Sequence, residues 1–92
     1  MISTYRYDVQ TGNAPDAFGA AIVFDGTSRI LDITIKDNPA EIRWSYDGVT
    51  FGDVFVVFSD DPPLQLPHAA RAFQIRNRTA TLIAWYQIAC YY

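Results

Sequence analysis

Ninety-two residues, half of them hydrophobic, are enough for one compact core and too few for two. Ten acidic against seven basic side chains leave a net charge of −3, and the bases are scattered rather than striped, which argues against nucleic acid as a partner. A lone cysteine, Cys90, excludes an internal disulfide and a cysteine-based zinc site, and no apolar run reaches the length of a membrane helix.

The start of the chain lacks the basic and apolar regions of a secretory signal. The expectation is therefore one soluble domain over residues 1–92, folded in a reducing cytoplasm, with no membrane partner. Six of the seven bases are arginine, the base that protein interfaces favour.

Apolar residues alternate with period two or run continuously, and they are rich in Val, Ile, Thr, Tyr and Phe, so the fold class expected is all-β. Tyr5, Tyr7 and Val9 alternate with Arg6 and Asp8, as a first strand or as part of an extended N-terminal arm over residues 1–15. Turn formers from Thr11 to Asp16, including Pro15, end it. Residues 20–24 read as a short apolar strand stopped by Asp25 and Gly26.

Leu31, Ile33 and Ile35 then alternate with Asp32, Thr34 and Lys36, the pattern of a strand with one wet side, which Ile30 interrupts. After Asp37, Asn38 and Pro39, alternation resumes with Ile42, Trp44 and Tyr46 against Glu41, Arg43 and Ser45. Asp47-Gly48 signals a type I′ hairpin, which would pair Tyr46 with Val49 and Trp44 with Phe51 and put all of these on one face with Ile42.

Residues 54–58 form a continuous apolar run, either covered on both faces or exposed to a partner. Ser59 to Pro67, with three prolines, reads as the longest irregular connection. Phe73 and Ile75 mark the next strand, and residues 81–92 a long last one with apolar side chains on both faces. Seven or eight strands with turn signals between them predict a small antiparallel β-sandwich, jelly-roll-like in architecture.

Chemistry is sparse. His68 is the only histidine, and Cys90 lies in an apolar strand where an inert thiol is expected. Asp47, Asp53, Asp60 and Asp61 lack the dense spacing of a calcium loop, and Glu41, the only glutamate, points outward in the expected register. No catalytic residue, metal or cofactor is expected.

The aromatics Trp44, Phe51, Phe55 and Phe73 fit a sandwich interior. In the last strand, Trp85 and Tyr91 occupy one face, with Leu82, Tyr86, Ile88 and Tyr92 on the other. One of these faces exceeds what the core can use, and a surplus apolar face marks a subunit interface or an edge that would otherwise aggregate, the alternative being a central strand covered on both faces. The interface residues expected are Tyr5, Tyr7, Trp85, Tyr91 and Tyr92.

Two strings carry a resemblance. Ala-Glu-Ile-Arg-Trp-Ser-Tyr-Asp-Gly-Val-Thr-Phe-Gly-Asp spans residues 40–53, and Leu-Pro-His-Ala-Ala-Arg-Ala-Phe-Gln-Ile-Arg-Asn-Arg spans residues 66–78. With the aromatic final strand, the region over residues 30–92 resembles small structural proteins of tailed-bacteriophage virions. The hairpin is also similar to that of discoidin-like, galactose-binding sandwiches, from which this chain departs in its short length and its lack of a disulfide.

The phage resemblance implies a non-enzymatic, multi-copy part of the particle, a capsid decoration or a tail or fibre-attachment component, made in the host cytoplasm. Its implied partners are copies of itself and other virion proteins, and the assembly contacts expected are made by residues 1–9 and 82–92. The alternative is a small carbohydrate-binding sandwich that takes surface glycan, marked by Trp44 and Tyr46 pointing outward around one concave face.

Overall fold

The computed structural model describes residues 6–92. Eight strands follow one another: β1 (Tyr7–Asn13), β2 (Ile22–Val23), β3 (Ile30–Lys36), β4 (Ala40–Ser45), β5 (Phe55–Val57), β6 (Leu64–Leu66), β7 (Ala72–Asn77) and β8 (Trp85–Tyr91). They form two four-stranded antiparallel sheets, ordered β1-β8-β3-β6 and β2-β7-β4-β5. β1 pairs with β8, β2 with β7, β3 with β6 and β4 with β5, so the chain folds back on itself as one long double ribbon and rolls up. That is a jelly roll.

Alternation in β3 decides what lies inside. Leu31, Ile33 and Ile35 are buried, opposite Cys90, Ile88 and Tyr86 of β8. From the second sheet, Ile42, Trp44, Phe73 and Ile75 face them, and Phe24 closes one end against Phe73 with ring centroids 5.3 Å apart. Trp44, Phe55 and Phe73 thus enter the interior as the sequence suggests, whereas Phe51 does not: it sits 5.2 Å from the Arg43 guanidinium outside the second sheet.

Three local expectations fail for physical reasons. Asp47-Gly48 makes no type I′ hairpin, because only Gly48 has positive φ (84°) and that turn needs it at both central positions. Instead the Asp47 carboxylate accepts hydrogen bonds from Val49 N, Thr50 N and Ser45 Oγ, and Ser45 Oγ accepts one from Gly48 N. Side-chain acceptors thus build an open loop; β4 first meets β5 at Ile42 opposite Phe55, and Tyr46 and Val49 stay exposed.

β6 lies inside the stretch expected to be irregular. It pairs only with β3, which a short edge strand flanked by Pro63 and Pro67 tolerates. Finally, the last strand starts at Trp85, not at residue 81: Thr81 has φ 71°, and the turn leaves Leu82 and Ile83 outside the ladder and exposed.

Candidate functional site

β8 is the second strand of its sheet, hydrogen-bonded to β1 on one side and to β3 on the other. Pairing therefore fixes which side chains share its outward face: Tyr7, Val9, Thr11 and Asn13 of β1, Tyr91, Ala89, Gln87 and Trp85 of β8, and Ile30, Asp32, Thr34 and Lys36 of β3. The two ends of this face differ. At one end Tyr7, Tyr91 and Ile30 stand in a row beside Val9 and Ala89; Tyr7 is 63% exposed, Val9 41% and Ile30 38%, and the Tyr7 and Tyr91 rings lie 5.9 Å apart. At the other end Trp85 is covered by Lys36, whose Nζ sits 5.3 Å from the ring centroid.

The expected interface residues divide accordingly. Tyr7 and Tyr91 share the exposed apolar end, Trp85 shares the face but lies under its lysine, and Tyr5 lies outside the described residues. Tyr92 packs against the core instead, with its ring so close over Gly26 that a Cβ added there would clash with it. Val9 and Ile30 complete the patch. Alternation places Val9 with Tyr7, and the break in the β3 pattern at Ile30 is the signal that finds it.

The ladder also fixes the free edge. Tyr92 N donates to Arg6 O and Ala14 N to Ala84 O, so the even-numbered residues of β1 exchange hydrogen bonds with β8. The N–H and C=O groups of Tyr7, Val9, Thr11 and Asn13 therefore point away from the sheet, and among the described residues none has a backbone partner. β1 runs seven residues without proline or lysine, whereas the other edge strands, β2, β5 and β6, run two or three. An edge this long and unprotected is a template for another strand. β8 itself, with both edges taken, can contribute to such a contact only through its outward face.

The outward face of the second sheet is partly covered by aromatic rings. Phe18, from the loop before β2, lies 4.4 Å from the Arg43 guanidinium and 4.3 Å from that of Arg76, and Phe51 lies 5.2 Å from Arg43. Arg76 Nε also donates to Glu41 Oε1 at 2.7 Å, so Glu41 does face outward and is paired.

At the opposite side of the molecule from β1, the edges β5 and β6 leave a cleft of about 400 Å³, lined by Trp44, Gly52, Asp53, Phe55, Leu64, Leu66 and His68. Trp44 is 7% exposed, and its Nε1–H is the one buried side-chain polar group among the described residues without a hydrogen-bond partner. Such an orphan costs about 1–3 kcal/mol. Ser28 holds the His68 segment in place: its Oγ donates to His68 O and accepts from Ala70 N at 2.8 Å.

The remaining chemical groups have separate surroundings. Cys90 is buried, its Sγ 3.8 Å from Gly26 O, and burial with Asp8 and Asp25 nearby pushes its thiol up to about 11, where it stays protonated at neutral pH. His68 packs near Trp44, with ring centroids 6.5 Å apart. Among the described residues no three His, Cys, Asp or Glu side chains group closely enough to hold a metal ion. No protein-family model matches the chain, and no curated protein matches it.

Proposed function

We propose that this protein is a non-enzymatic structural component of a tailed-phage virion, present in many copies as a capsid decoration or a tail or fibre-attachment part. One observation carries the reading: β1, the longest open edge among the described residues, continues directly into an exposed apolar patch of Tyr7, Val9 and Ile30 beside Tyr91. Edge and patch together suit the addition of a strand from another copy or from another virion protein. Jelly rolls serve both capsid and lectin domains, so the fold by analogy admits either reading and the site has to choose.

β1 is self-complementary about Gln10. Two copies paired antiparallel on that centre bring Tyr7 opposite Asn13 of the second copy and Val9 opposite Thr11, which satisfies all eight outward backbone groups on each β1 strand and keeps Asp8 opposite Gly12 rather than another Asp8. Each such bond contributes about 1 kcal/mol net.

The carbohydrate-binding alternative needs Trp44 and Tyr46 together on a concave face. Trp44 is buried, and Tyr46, 69% exposed, lies outside the cleft, so the two form no stacking platform for surface glycan. Quantitative mass spectrometry of purified phage particles tests the virion reading. Many copies per particle are expected; a chain found only in the lysate and absent from particles would overturn it.

A further inference from the structure

We propose that the strand added at the β1 edge is β1 of a second copy, and that the Gln10 side chains, meeting on the two-fold axis, fix its register. The inference rests on the reading of β1 as an assembly edge and narrows the partner to one strand. Three residues of β1, Asp8, Gln10 and Gly12, lie opposite Cys90, Ile88 and Tyr86 of β8, which are buried, and so share their inward face. No apolar side chain of β1 belongs to the core; the inner face of this edge is polar, and Asp8 and Gln10 are half-buried there.

Gln10 Nε2 donates to the Asp8 carboxylate, 3.2 Å from Oδ1 and 3.1 Å from Oδ2. The two oxygens of one carboxylate lie on the same side of the amide, so one N–H serves both, and the second N–H and Oε1 are left over. No other described residue takes either of them. A glutamine amide with one donor and one acceptor free is complementary to another in the same state.

Ladder parity decides where two such amides meet. The outward N–H and C=O groups of β1 belong to Tyr7, Val9, Thr11 and Asn13, so in an antiparallel β1–β1 junction the even-numbered residues take the non-hydrogen-bonded positions. Opposed Cα atoms there stand about 4.5 Å apart and the side chains come closest. A junction centred on Gln10 opposes the two Gln10 residues at such a position, with each Oε1 in reach of the other Nε2. Moving the centre to Val9 leaves the outward groups of Asn13 without a partner in β1, moving it to Thr11 leaves those of Tyr7, and either shift separates the glutamines. A centre on Asp8 sets two carboxylates opposite each other. A foreign strand would have to carry an amide at one particular position, whereas the second copy supplies it by symmetry.

The test is a cysteine scan of the edge, read on non-reducing gels after treatment with oxidised glutathione over a concentration series. Gln10→Cys alone should form disulfide-linked pairs, because its opposed Cα atoms fall within the span of about 4.4–6.8 Å that a disulfide bridges. Val9→Cys and Thr11→Cys should each stay single, since each is offset from its counterpart by two residues, about 7 Å along the strand. Native Cys90 is buried and does not compete. Light scattering of Gln10→Glu and Gln10→Lys gives a second readout: each alone should run as one subunit, because like charges meet on the axis, and an equal mixture should run as two. Gln10→Cys left unlinked, Val9→Cys or Thr11→Cys linked as fully as Gln10→Cys, or charge variants that behave the same alone and mixed would overturn the junction. Counting copies in purified particles decides the virion reading separately. Many copies per particle beside an unlinked Gln10→Cys chain overturn this junction and keep that reading, whereas a linked Gln10→Cys chain beside particles that lack the protein keeps the junction and overturns that reading.

Discussion

Single side chains hold the loops of this sandwich, and two of them act by filling the hydrogen bonds that the strands leave open. Asn77, 3% exposed, accepts from Ala84 N through Oδ1 and donates to Asp16 Oδ1 through Nδ2, while Asp16 Oδ1 also accepts from Thr81 N. This ties the β1–β2 loop to the β7–β8 turn, where Thr81 takes its positive φ. Asn77→Ala would leave the buried Ala84 N–H unpaired and should lower unfolding stability by about 2 kcal/mol, seen as a lower urea midpoint at an unchanged slope. The loop carboxylates predict a pH dependence. Three donors hold Asp47 down to about 2, and Asn77 with Thr81 N lowers Asp16 from its ordinary 3.8. Folded-state values below the unfolded ones mean that this stabilisation is present above 3.8 and is lost as pH falls from there toward about 2. Urea midpoints should drop across that interval, and Asp47→Asn, which keeps an acceptor oxygen, should flatten the slope.

At the scale of elements, legibility followed pairing. β3 and β7 were readable because alternation against one core leaves a period-two pattern, and parity put Trp85 with Tyr91 on one face of the last strand, while only the β1–β8 pairing brings Tyr7 onto that face. β6 was hidden because three residues between prolines hold too little pattern, and the Asp47 loop was misread because side-chain acceptors outcompeted the turn its dipeptide favours. The strand order was not legible at all, since contacts such as β1 with β8 join the two ends of the chain. Nor was the cleft, which forms between the short edge strands β5 and β6 of the two sheets. The ladder parity in β1 makes a sharp prediction. Proline at Thr11, whose N–H points outward, removes no internal bond and should cost little stability. Proline at Gln10, whose N–H faces β8, should cost about 1–3 kcal/mol, and thermal unfolding of the two variants side by side checks the difference.

For the molecule as a whole, the two sheets present unequal outsides. Phe18 and Phe51 pack on the arginines Arg43 and Arg76 of one, while the other ends in exposed Tyr7, Val9 and Ile30 beside a seven-residue edge that has no outer partner among the described residues. A chain of 92 residues buries a modest share of its surface, so neighbouring copies that bind only the folded form would stabilise it by mass action. The most direct measurement is light scattering after size exclusion of the intact chain over a concentration series, with Thr11→Pro run beside it. The account predicts a mass that rises with concentration in the intact chain and stays at one subunit in Thr11→Pro; an intact chain that remains one subunit throughout, or a variant that assembles equally well, would contradict assembly through the β1 edge.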